Sequence, residues 1–567
     1  MLTFFMETPQ IFAFFEKAKP QKSHVFKHVT LLSHDHEISF PFLVLKYILL
    51  CFEFSFTSTM QIFFIILVFF LAINMIPFVQ SLTFQINTSS PIFQTSSKFL
   101  SWTMDASETN KWGKEKDNFW YNQTILNLAK NLGASHFRYG GTSADITAYN
   151  FSGTYFPIHN PTDRATLVMN NTVFDGLHDF TKTVGWDLIY GVNLGTYRNS
   201  QNEWVDAAFS SMLDYVIAKN YSIFGWELGN EPDLFYRHNM SVEPYQSSKD
   251  YELFHQTIQN KQMRKKNSSM PLIIGPDVAG APNAYFIPFL DHVKDEDILD
   301  VATYHFYYGP GSSVPDGLTI KDFYNPIILD RFLDSATSFL KVSNSRLNHN
   351  SSKNRELWVG ETSSTYGGGT GNTSASFVAG FMWLDKLALA ANLQHSVVCR
   401  QVFGHAQYAA VGYDNVPNPD YYTALLWQRL VGNKVLSVQN GLKKGREVRV
   451  YAFCASAKQQ PEGGGAVTMV FLNTKNETVV SMNFTSEETL LGLNSEQHVY
   501  TLTSFKGLPT SRSVYLNEKI LLSVDSKTGV PVEMPPVILK ENINVVVAPL
   551  SYGFIVLPNA KVEACQL

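Results

Sequence analysis

Apolar and polar positions follow two different rhythms along the chain. Between Ser101 and about Phe403, short apolar or β-branched runs alternate with longer amphipathic stretches, which is the pattern of repeated strand–helix units. Eight runs fit a strand: "SWTMDA" from 101, "HFRYGG" from 136, "DLIYGVNLG" from 187, "FGWELGNEP" from 224, "LIIGPDVAG" from 272, "VATYHFYYG" from 301, "LWVGETSS" from 357 and "HSVVCRQVFG" from 395. This α/β pattern predicts a (β/α)8 TIM barrel over residues 99–430.

After about Val431 the rhythm becomes a strict alternation, as in "REVRVYAFC", "AVTMVFLN" and "NVVVAPLSYGFIVL", broken by Gly, Asn, Lys and Pro clusters. Alternation over many short runs predicts a β-sandwich over residues 431–567. The segment Leu82–Phe93 alternates as well, although it precedes the first barrel strand. We therefore predict that residues 82–98 contribute an N-terminal strand to the sandwich.

One helix of the barrel can be predicted in detail. Thr373 and Ser374 suit helix capping, and apolar side chains recur behind them at the intervals of a helix face, at Phe377, Phe381, Leu384 and Ala388. The pattern predicts a helix with one face packed on the barrel.

The run Met60–Ser81 has an apolar core of twelve residues, Ile62–Ile73, followed by Asn74 and Pro77. This core suits a signal peptide over residues 60–81 and is short for a membrane span. We expect Met60 to be the working start and residues 1–59 to be an upstream extension. If Met1 is used, the same run could instead serve as a signal anchor in a membrane.

Asn-x-Ser/Thr sequons are numerous and favour passage through the secretory pathway, to the extracellular matrix or the lysosome. Eleven are present, at Asn87, Asn122, Asn150, Asn170, Asn220, Asn239, Asn267, Asn350, Asn372, Asn476 and Asn483.

Composition and charge argue against some classes of partner and cofactor. The 567 residues include 45% hydrophobic and 16% charged side chains, and the net charge of −5 disfavours nucleic acid as a partner. The pattern of His and Cys residues indicates no metal or organic cofactor. Of the four cysteines, Cys399 fits a buried free thiol, and Cys454 and Cys565 are a plausible pair in an oxidising compartment.

In a (β/α)8 barrel the active site lies at the carboxyl ends of the strands. The residues that close the eight predicted strands are Asp105, Thr142, Asn193, Asn230 with Glu231, Asp277, His305 with Tyr307, Glu361, and Arg400 with Gln401.

Two glutamates among them, Glu231 after the fourth strand and Glu361 after the seventh, face each other across the predicted barrel mouth. Such a pair can bracket a glycosidic bond, one as proton donor and one as nucleophile. We assign Glu231 as acid/base, because Asn230 beside it can hold the sugar 2-hydroxyl, and Glu361 as nucleophile.

Other polar residues of this region have a structural interpretation beside a functional one. Glu227 lies deeper in the barrel and fits a buried carboxylate bonded to Arg or Tyr. Asp277 fits a residue that fixes a loop. His305 and Tyr307 fit either a core pair or substrate contacts. The glycine-rich loop Thr365–Asn372 lacks the order of a phosphate loop, but its amides could bind a uronate carboxylate.

The sequence also resembles a known family. The segments that carry the resemblance, within residues Leu82 to Cys565, are "WELGNEPD", "GPDV", "WVGETSSTYGGG", "FMWLDKLALAA", "RQVF", "PDYYTALLWQRLVGNKVL" and "NAKVEAC". They are similar to the heparanases of glycoside hydrolase family 79. The resemblance implies a (β/α)8 barrel with a β-sandwich, and retaining endo-β-glucuronidase action on heparan sulfate, a glycosaminoglycan.

By the same resemblance, Glu231 matches the family's proton donor and Glu361 its nucleophile. Gly367, Gly368 and Tyr408 match residues that hold the glucuronate carboxylate. Other positions match sugar contacts, namely Asp105, Thr142, Asn230 and Gln401. Cys454 and Cys565 match a family disulfide.

Two departures from the family pattern leave alternatives open. The stretch 150–171 is short where vertebrate heparanase carries a linker that is excised, so we predict a single chain that needs no such cleavage. The segment "AGAPNAYFIPFL" after "GPDV" has no basic residue where vertebrate heparanase has a basic cluster. The alternatives are therefore a hyaluronan-cleaving or small-glucuronide-cleaving enzyme, or a non-catalytic glycan-binding relative. The sequence does not indicate an oligomeric state.

Overall fold

The computed structural model describes residues 79–566 except 109–118, 263–269, 281, 283, 294–296, 313–316, 349–354, 487–488, 492–494 and 541–542. The predicted extension 1–59 lies outside the described residues, as does the predicted signal peptide 60–81 apart from its last three residues, which belong to a strand. No helix within the described ranges is long and apolar enough to cross a membrane.

The strands fall into three consecutive groups. Two strands come first, β1 (Val79–Gln85) and β2 (Phe93–Gln94). The middle group is β3 (Leu100–Asp105), β4 (His136–Gly140), β5 (Thr147–Phe151), β6 (Thr154–Phe156), β7 (Leu167–Asn170), β8 (Asp187–Val192), β9 (Gly225–Leu228), β10 (Leu272–Val278), β11 (Val301–Phe306), β12 (Glu356–Thr362) and β13 (Val397–Arg400). The last group is β14 (Val431–Leu436), β15 (Val448–Ala455), β16 (Val467–Asn473), β17 (Val479–Ser486), β18 (Thr489–Leu490), β19 (Gln497–Ser504), β20 (Val514–Leu516), β21 (Ile520–Leu521), β22 (Val537–Leu539), β23 (Val545–Val547) and β24 (Ser551–Leu557).

Eight strands of the middle group close into a parallel barrel in the order β3, β4, β8, β9, β10, β11, β12, β13. Each barrel strand is followed along the chain by an α-helix: α1 (Gln123–Asn131), α2 (Asn171–Val184), α3 (Ala207–Ala218), α4 (Pro244–Gln262), α5 (Phe286–Val293), α6 (Pro326–Ser343), α7 (Ala379–Asn392) and α8 (Pro419–Leu430). All eight predicted runs coincide with these barrel strands, so the predicted (β/α)8 barrel is confirmed.

Local sequence signals account for the ends of several helices. Helix α2 begins where the Asn170 side chain accepts a hydrogen bond from the Val173 N–H at 3.0 Å, and it ends at Gly185, whose φ is +76°. An Asn cap satisfies one of the free N–H groups of the first turn, and a glycine tolerates the left-handed conformation that terminates the last. The stretch 150–171 before α2 contributes to a small three-stranded sheet of β6, β5 and β7.

The remaining strands form a sandwich of two sheets. A four-stranded sheet contains β1, β17, β18 and β23, and a nine-stranded sheet contains β2, β14, β15, β16, β24, β19, β20, β21 and β22. Strand β1 runs parallel to β17, with Val79 opposite Val479. The prediction that the N-terminal strand joins the sandwich is therefore confirmed, and the strand starts at Val79, three residues earlier than predicted.

Both faces of the nine-stranded sheet are covered at its centre. Val450 and Ala452 on β15 pack toward the four-stranded sheet, whereas Tyr451 and Phe453 belong to the core that includes the barrel helices. Arg449, on the barrel side of β15, donates to Asp385 of α7 at 2.9 Å. Strand β15 thus buries both of its faces, one against the four-stranded sheet and the other against the barrel helices.

Helix α7 differs from its prediction in two respects. It begins at Ala379, not directly after Thr373 and Ser374, and every residue from Ala379 to Ala391 is buried. The sandwich covers the side that does not face the barrel: the Tyr552 ring stacks on Phe377 with ring centroids 4.9 Å apart. A Cβ on Gly380 would lie 2.0 Å from the Tyr552 hydroxyl oxygen, so the close approach requires a glycine there.

A disulfide joins Cys454 on β15 to Cys565 near the C-terminus, as predicted, and Cys399 is buried and free. The disulfide closes a loop with a sequence separation of 111 residues.

We predict that Cys454→Ala/Cys565→Ala lowers the free energy of unfolding by about 4–5 kcal/mol, because a cross-link of this span restricts the unfolded chain strongly. Denaturant unfolding measures the loss, and reductant should destabilise the native protein but leave the double variant unaffected. Equal unfolding midpoints for the two proteins without reductant would contradict the prediction.

Candidate active site

The rim at the carboxyl ends of the barrel strands gathers the residues predicted for the site. Asp105 ends β3, Thr142 opens a short 3-10 helix after β4, Tyr307 follows β11, Glu361 lies near the end of β12 and Gln401 follows β13. Loops after β12 and β13 carry the remaining predicted contacts, Gly367, Gly368 and Tyr408.

Glu231 occupies a backbone conformation that residues with a side chain rarely adopt. Its φ is +50°, and the φ of Gly229, two residues earlier, is +87°. A Cβ on Gly229 would lie 2.8 Å from the Leu194 side chain. The Glu231 N–H donates to the Asp277 carbonyl at 2.9 Å, which fixes the turn against β10. Strained residues of this kind cluster at functional sites, and here the turn brings Glu231 to the barrel mouth.

Glu231 and Glu361 come close together across the mouth. A carboxylate oxygen of each, together with a ring nitrogen of His305, lies within 4.8 Å of the others. The Glu361 side chain is 9% exposed and that of Glu231 is 22% exposed. The two carboxyl groups therefore share a small space but differ in their access to water.

Arg138, in the middle of β4, is the hub of the polar groups below the mouth. Its buried guanidinium donates to Glu227 at 2.7 Å, to Glu361 at 3.1 Å and to the side-chain oxygen of Asn230 at 3.0 Å. One side chain thus orients Glu361 and Asn230 together. Burial raises the pKa of Glu227 to about 8, although the Arg138 charge opposes that change. The structural interpretation of Glu227 agrees with this geometry.

His305 and Asp277 belong to the same buried network of polar groups. The His305 ring is fully buried and bonds Glu231 at 2.9 Å and Asp277 at 3.3 Å, so it is linked to the mouth through Glu231. Asp277 is also fully buried, with an oxygen 3.8 Å from Arg138. It is part of the site's charge network as well as of a loop.

The protonation of His305 follows from its neighbours. Burial lowers the pKa of the imidazole, but the Glu361 charge and the hydrogen bonds to Asp277 and Glu231 outweigh burial and raise the pKa to about 10. Glu231, His305 and Glu361 have the spacing of a possible metal site. An ion there would have to displace a proton from His305, because a metal binds imidazole through a nitrogen lone pair.

Arg138 donates to Oε2 of Glu361, and the Tyr307 hydroxyl donates to Oε1 at 2.6 Å. Burial raises the pKa of Glu361 above its ordinary value, while the charges of His305 and Arg138 and the Tyr307 hydrogen bond act in the opposite direction. Each Glu361 oxygen therefore has one fixed donor, which holds the plane of the carboxyl group.

A glycine-rich loop closes one side of the mouth. Gly367, Gly368 and Gly369 have φ values of +75°, +89° and +95°, a run of left-handed conformations that favours glycine at each position. A Cβ on Gly369 would lie 3.0 Å from Cβ of Tyr408, so the loop packs directly on that residue. Gln401 beside it accepts a hydrogen bond from Thr103.

Two residues that position the site were missed by sequence reasoning. One is Arg138. It could have been found in the sequence, because it is a charged residue in the middle of a predicted barrel strand. The other is Asp145, buried in the 3-10 helix after β4, which accepts from the N–H groups of Leu194 at 2.9 Å and Asn230 at 2.9 Å. It thereby joins the loops after β8 and β9. In the sequence it resembles an ordinary loop aspartate.

Comparisons with known proteins agree with this geometry. Residues 81–388 match the family model "Glycosyl hydrolase family 79, N-terminal domain". The chain is 35% identical to heparanase of Bos taurus, over 69% of this chain and 68% of the relative. It is 28% identical to baicalin-β-D-glucuronidase of Scutellaria baicalensis, over 84% of this chain and 92% of the relative.

The fold is also that of a solved enzyme. A 4-O-α-L-rhamnosyl-β-D-glucuronidase from Fusarium oxysporum superimposes with a TM-score of 0.60 at 16% identity, covering 84% of this chain and all of that one. The family match and the relatives lead to one conclusion: the chain belongs to glycosyl hydrolase family 79 and is a glycoside hydrolase of the glucuronidase type.

Proposed function

We propose that the protein is a retaining β-glucuronidase with Glu231 as acid/base and Glu361 as nucleophile. The observation that carries the proposal is the separation of their oxygens, which is within 4.8 Å. Retaining glycosidases place the two carboxyl groups about 5–5.5 Å apart, whereas inverting enzymes leave about 6.5–9.5 Å for a water molecule. The short separation supports double displacement.

In the first step, a Glu361 oxygen bonds to the anomeric carbon as the glycosidic bond breaks, and Glu231 gives its proton to the departing oxygen. The positive charge of His305 stabilises the carboxylate that this transfer leaves on Glu231. In the second step, Glu231 takes a proton from water, and the water oxygen displaces Glu361 from the anomeric carbon.

The sugar contacts that we propose follow from the placement of the donors. Because the Asn230 oxygen is engaged by Arg138, its amide nitrogen is the group that can donate to the 2-hydroxyl. Successive amides in the glycine-rich loop can bind an anion, so Gly367 and Gly368, with the Tyr408 hydroxyl, are proposed to bind the glucuronate carboxylate. Asp105, Thr142 and Gln401 are proposed to contact the remaining hydroxyls.

Among polymers, we propose a glucuronate-containing glycosaminoglycan as substrate, with heparan sulfate first and hyaluronan second, cleaved within the chain. The relationship to heparanase supports this choice. The segment after "GPDV" has no basic residue, which weakens the case for dense sulfation.

A second candidate, a small aromatic glucuronide, is favoured by the rings at the mouth. Tyr236, on the turn after Glu231, is 67% exposed, and Tyr366, which precedes the glycine run, is 41% exposed. The Tyr366 ring meets that of Tyr307 edge to face, with centroids 6.4 Å apart. Exposed rings beside the catalytic pair can stack on an aromatic leaving group.

We also propose that the protein passes through the secretory pathway. The disulfide supports an oxidising compartment, and five sequon asparagines among the described residues are exposed: Asn87, Asn220, Asn239, Asn372 and Asn476.

The catalytic assignment predicts different defects for the two glutamates. Glu231→Gln should slow hydrolysis of a poor leaving group by roughly 10²–10⁴-fold, because general acid catalysis is lost. Glu361→Gln should abolish turnover of every glucuronide. Heparan sulfate, hyaluronan and an aryl β-glucuronide serve as substrates, and NMR of the first-formed product should show the β-anomer.

A folded wild-type protein that binds glycan but cleaves none of the three substrates would favour the non-catalytic relative. First formation of the α-anomer would instead refute double displacement. Azide should accelerate Glu231→Ala on an activated aryl glucuronide, since the small anion needs no general base.

Tyr307→Phe tests the donor to Glu361. Activity needs the ionised carboxylate and falls as the pH drops through its pKa. Loss of a hydrogen bond to the charged form raises that pKa further, so the acid limb of the pH–rate profile should move to higher pH. Tyr304→Phe is the matched control, because Tyr304 lies on β11, the strand that Tyr307 follows, but its hydroxyl bonds His395. An unmoved acid limb in Tyr307→Phe would count against this role.

The secretory proposal predicts that protein recovered from the medium of eukaryotic cells loses mass on treatment with an N-glycan-releasing enzyme. Intact mass spectrometry measures the change, and N-terminal sequencing should show no residue before Met60. Protein that stays in the cytosol with an unmodified mass would contradict the proposal.

A further inference from the structure

The strand that carries Glu361 is irregular next to that residue. On one side of β12, Tyr304 pairs with Val359 but His305 pairs with Glu361, and on the other side the register shifts between Val359 and Thr362. Gly360 is the extra residue, and a Cβ there would lie 2.5 Å from an Asp277 oxygen. Such a bulge re-aims a side chain and interrupts the hydrogen-bond ladder. The backbone beyond it must therefore be held by other groups.

We propose that Lys386 of α7 is the positioning residue of Glu361, fixing the two residues that follow the nucleophile from behind the strand. Its Nζ donates to the Thr362 hydroxyl oxygen at 2.6 Å and to the Ser363 carbonyl at 2.6 Å. Lys386 is 1% exposed, so these bonds lie in the core and not at the mouth. The inference rests on the proposed role of Glu361 as nucleophile.

The contact with Thr362 extends to the neighbouring strand. The Thr362 hydroxyl accepts from Lys386 and donates its own proton to the Phe306 carbonyl. Phe306 lies between His305, which bonds Glu231, and Tyr307, which bonds Glu361. Lys386 thus fixes a hydroxyl that joins β11 to β12 at the level of both proposed catalytic carboxyl groups.

The surroundings of Lys386 fit a donor role. Its Nζ lies over the Tyr308 ring at 4.6 Å and the Phe306 ring at 5.3 Å from the centroids. Burial among these rings lowers the pKa of the Lys386 amine well below its ordinary value. A neutral amine keeps two N–H groups, so it can still donate both hydrogen bonds to the strand. The preceding residue of the helix, Asp385, accepts from Arg449 at 2.9 Å and Tyr451 at 2.7 Å. The sandwich therefore holds the helix that presents Lys386 to the barrel strand.

Lys386→Met tests the proposal, since methionine keeps most of the side-chain length but cannot donate. On an aryl β-glucuronide we expect kcat to fall about 10–100-fold with KM within about threefold, because misplacing a reacting group slows chemistry more than binding. Covalent labelling of Glu361 by a 2-deoxy-2-fluoroglucuronyl fluoride should slow in proportion. Lys434→Met is the matched control, because Lys434 also donates to main-chain carbonyls, those of Ala564 and Gln566, but in the sandwich.

A second readout does not depend on turnover. Amide hydrogen exchange at residues 361–363 should be faster in Lys386→Met than in the native protein or in Lys434→Met. If the native protein hydrolyses no glucuronide, the proposed function fails, and this comparison still tests whether Lys386 holds the strand.

If Lys386→Met does not fold, two variants of Thr362 decide. Thr362→Val should show the kcat defect and faster exchange, and Thr362→Ser, which keeps the hydroxyl, should restore native behaviour. A folded Lys386→Met or Thr362→Val with native kcat, labelling rate and exchange would overturn the proposal.

Discussion

The arrangement of the mouth depends on a balance of buried charge centred on Arg138. Four carboxyl groups, those of Glu227, Glu231, Asp277 and Glu361, surround two cations, Arg138 and His305. Removing one partner of a buried ion pair costs roughly 3–5 kcal/mol, so such a cluster must stay close to neutral. Neutrality requires two protons on four carboxyl groups. The raised pKa of Glu227 makes that carboxyl group one holder of such a proton.

The sequence specified most of this frame because parallel barrels follow strict positional rules. All eight strands could be predicted from apolar runs, and the rule that chemistry lies at their carboxyl ends selected Glu231, Asn230 and Glu361 without knowledge of any contact. The glycine-rich loop was found from composition, whereas Tyr408 and the disulfide partner of Cys454 were assigned through family resemblance. Spacing alone does not determine which distant residues meet.

What the sequence could not give are interactions that exist only after the strands have assembled. The two hydrogen bonds of His305 depend on Asp277 of the neighbouring strand β10 and on a turn with positive φ at Glu231. The burial of α7 on all sides depends on the nine-stranded sheet. That sheet combines β2, which precedes the barrel in the sequence, with strands that follow the barrel. A pattern of apolar residues indicates that a face of a helix is covered, but it does not identify the element that covers it.

The parallel pairing of β1 with β17 has a consequence for biosynthesis. Val79 pairs with Val479, a residue made 400 positions later, and Tyr552, which covers Phe377 beside α7, is made 175 positions after it. At roughly 5–20 residues per second, β1 waits on the order of 20–80 s for its partner. The barrel thus leaves the ribosome while β1 is still unpaired and α7 is still uncovered, and native assembly waits for strands that are made much later.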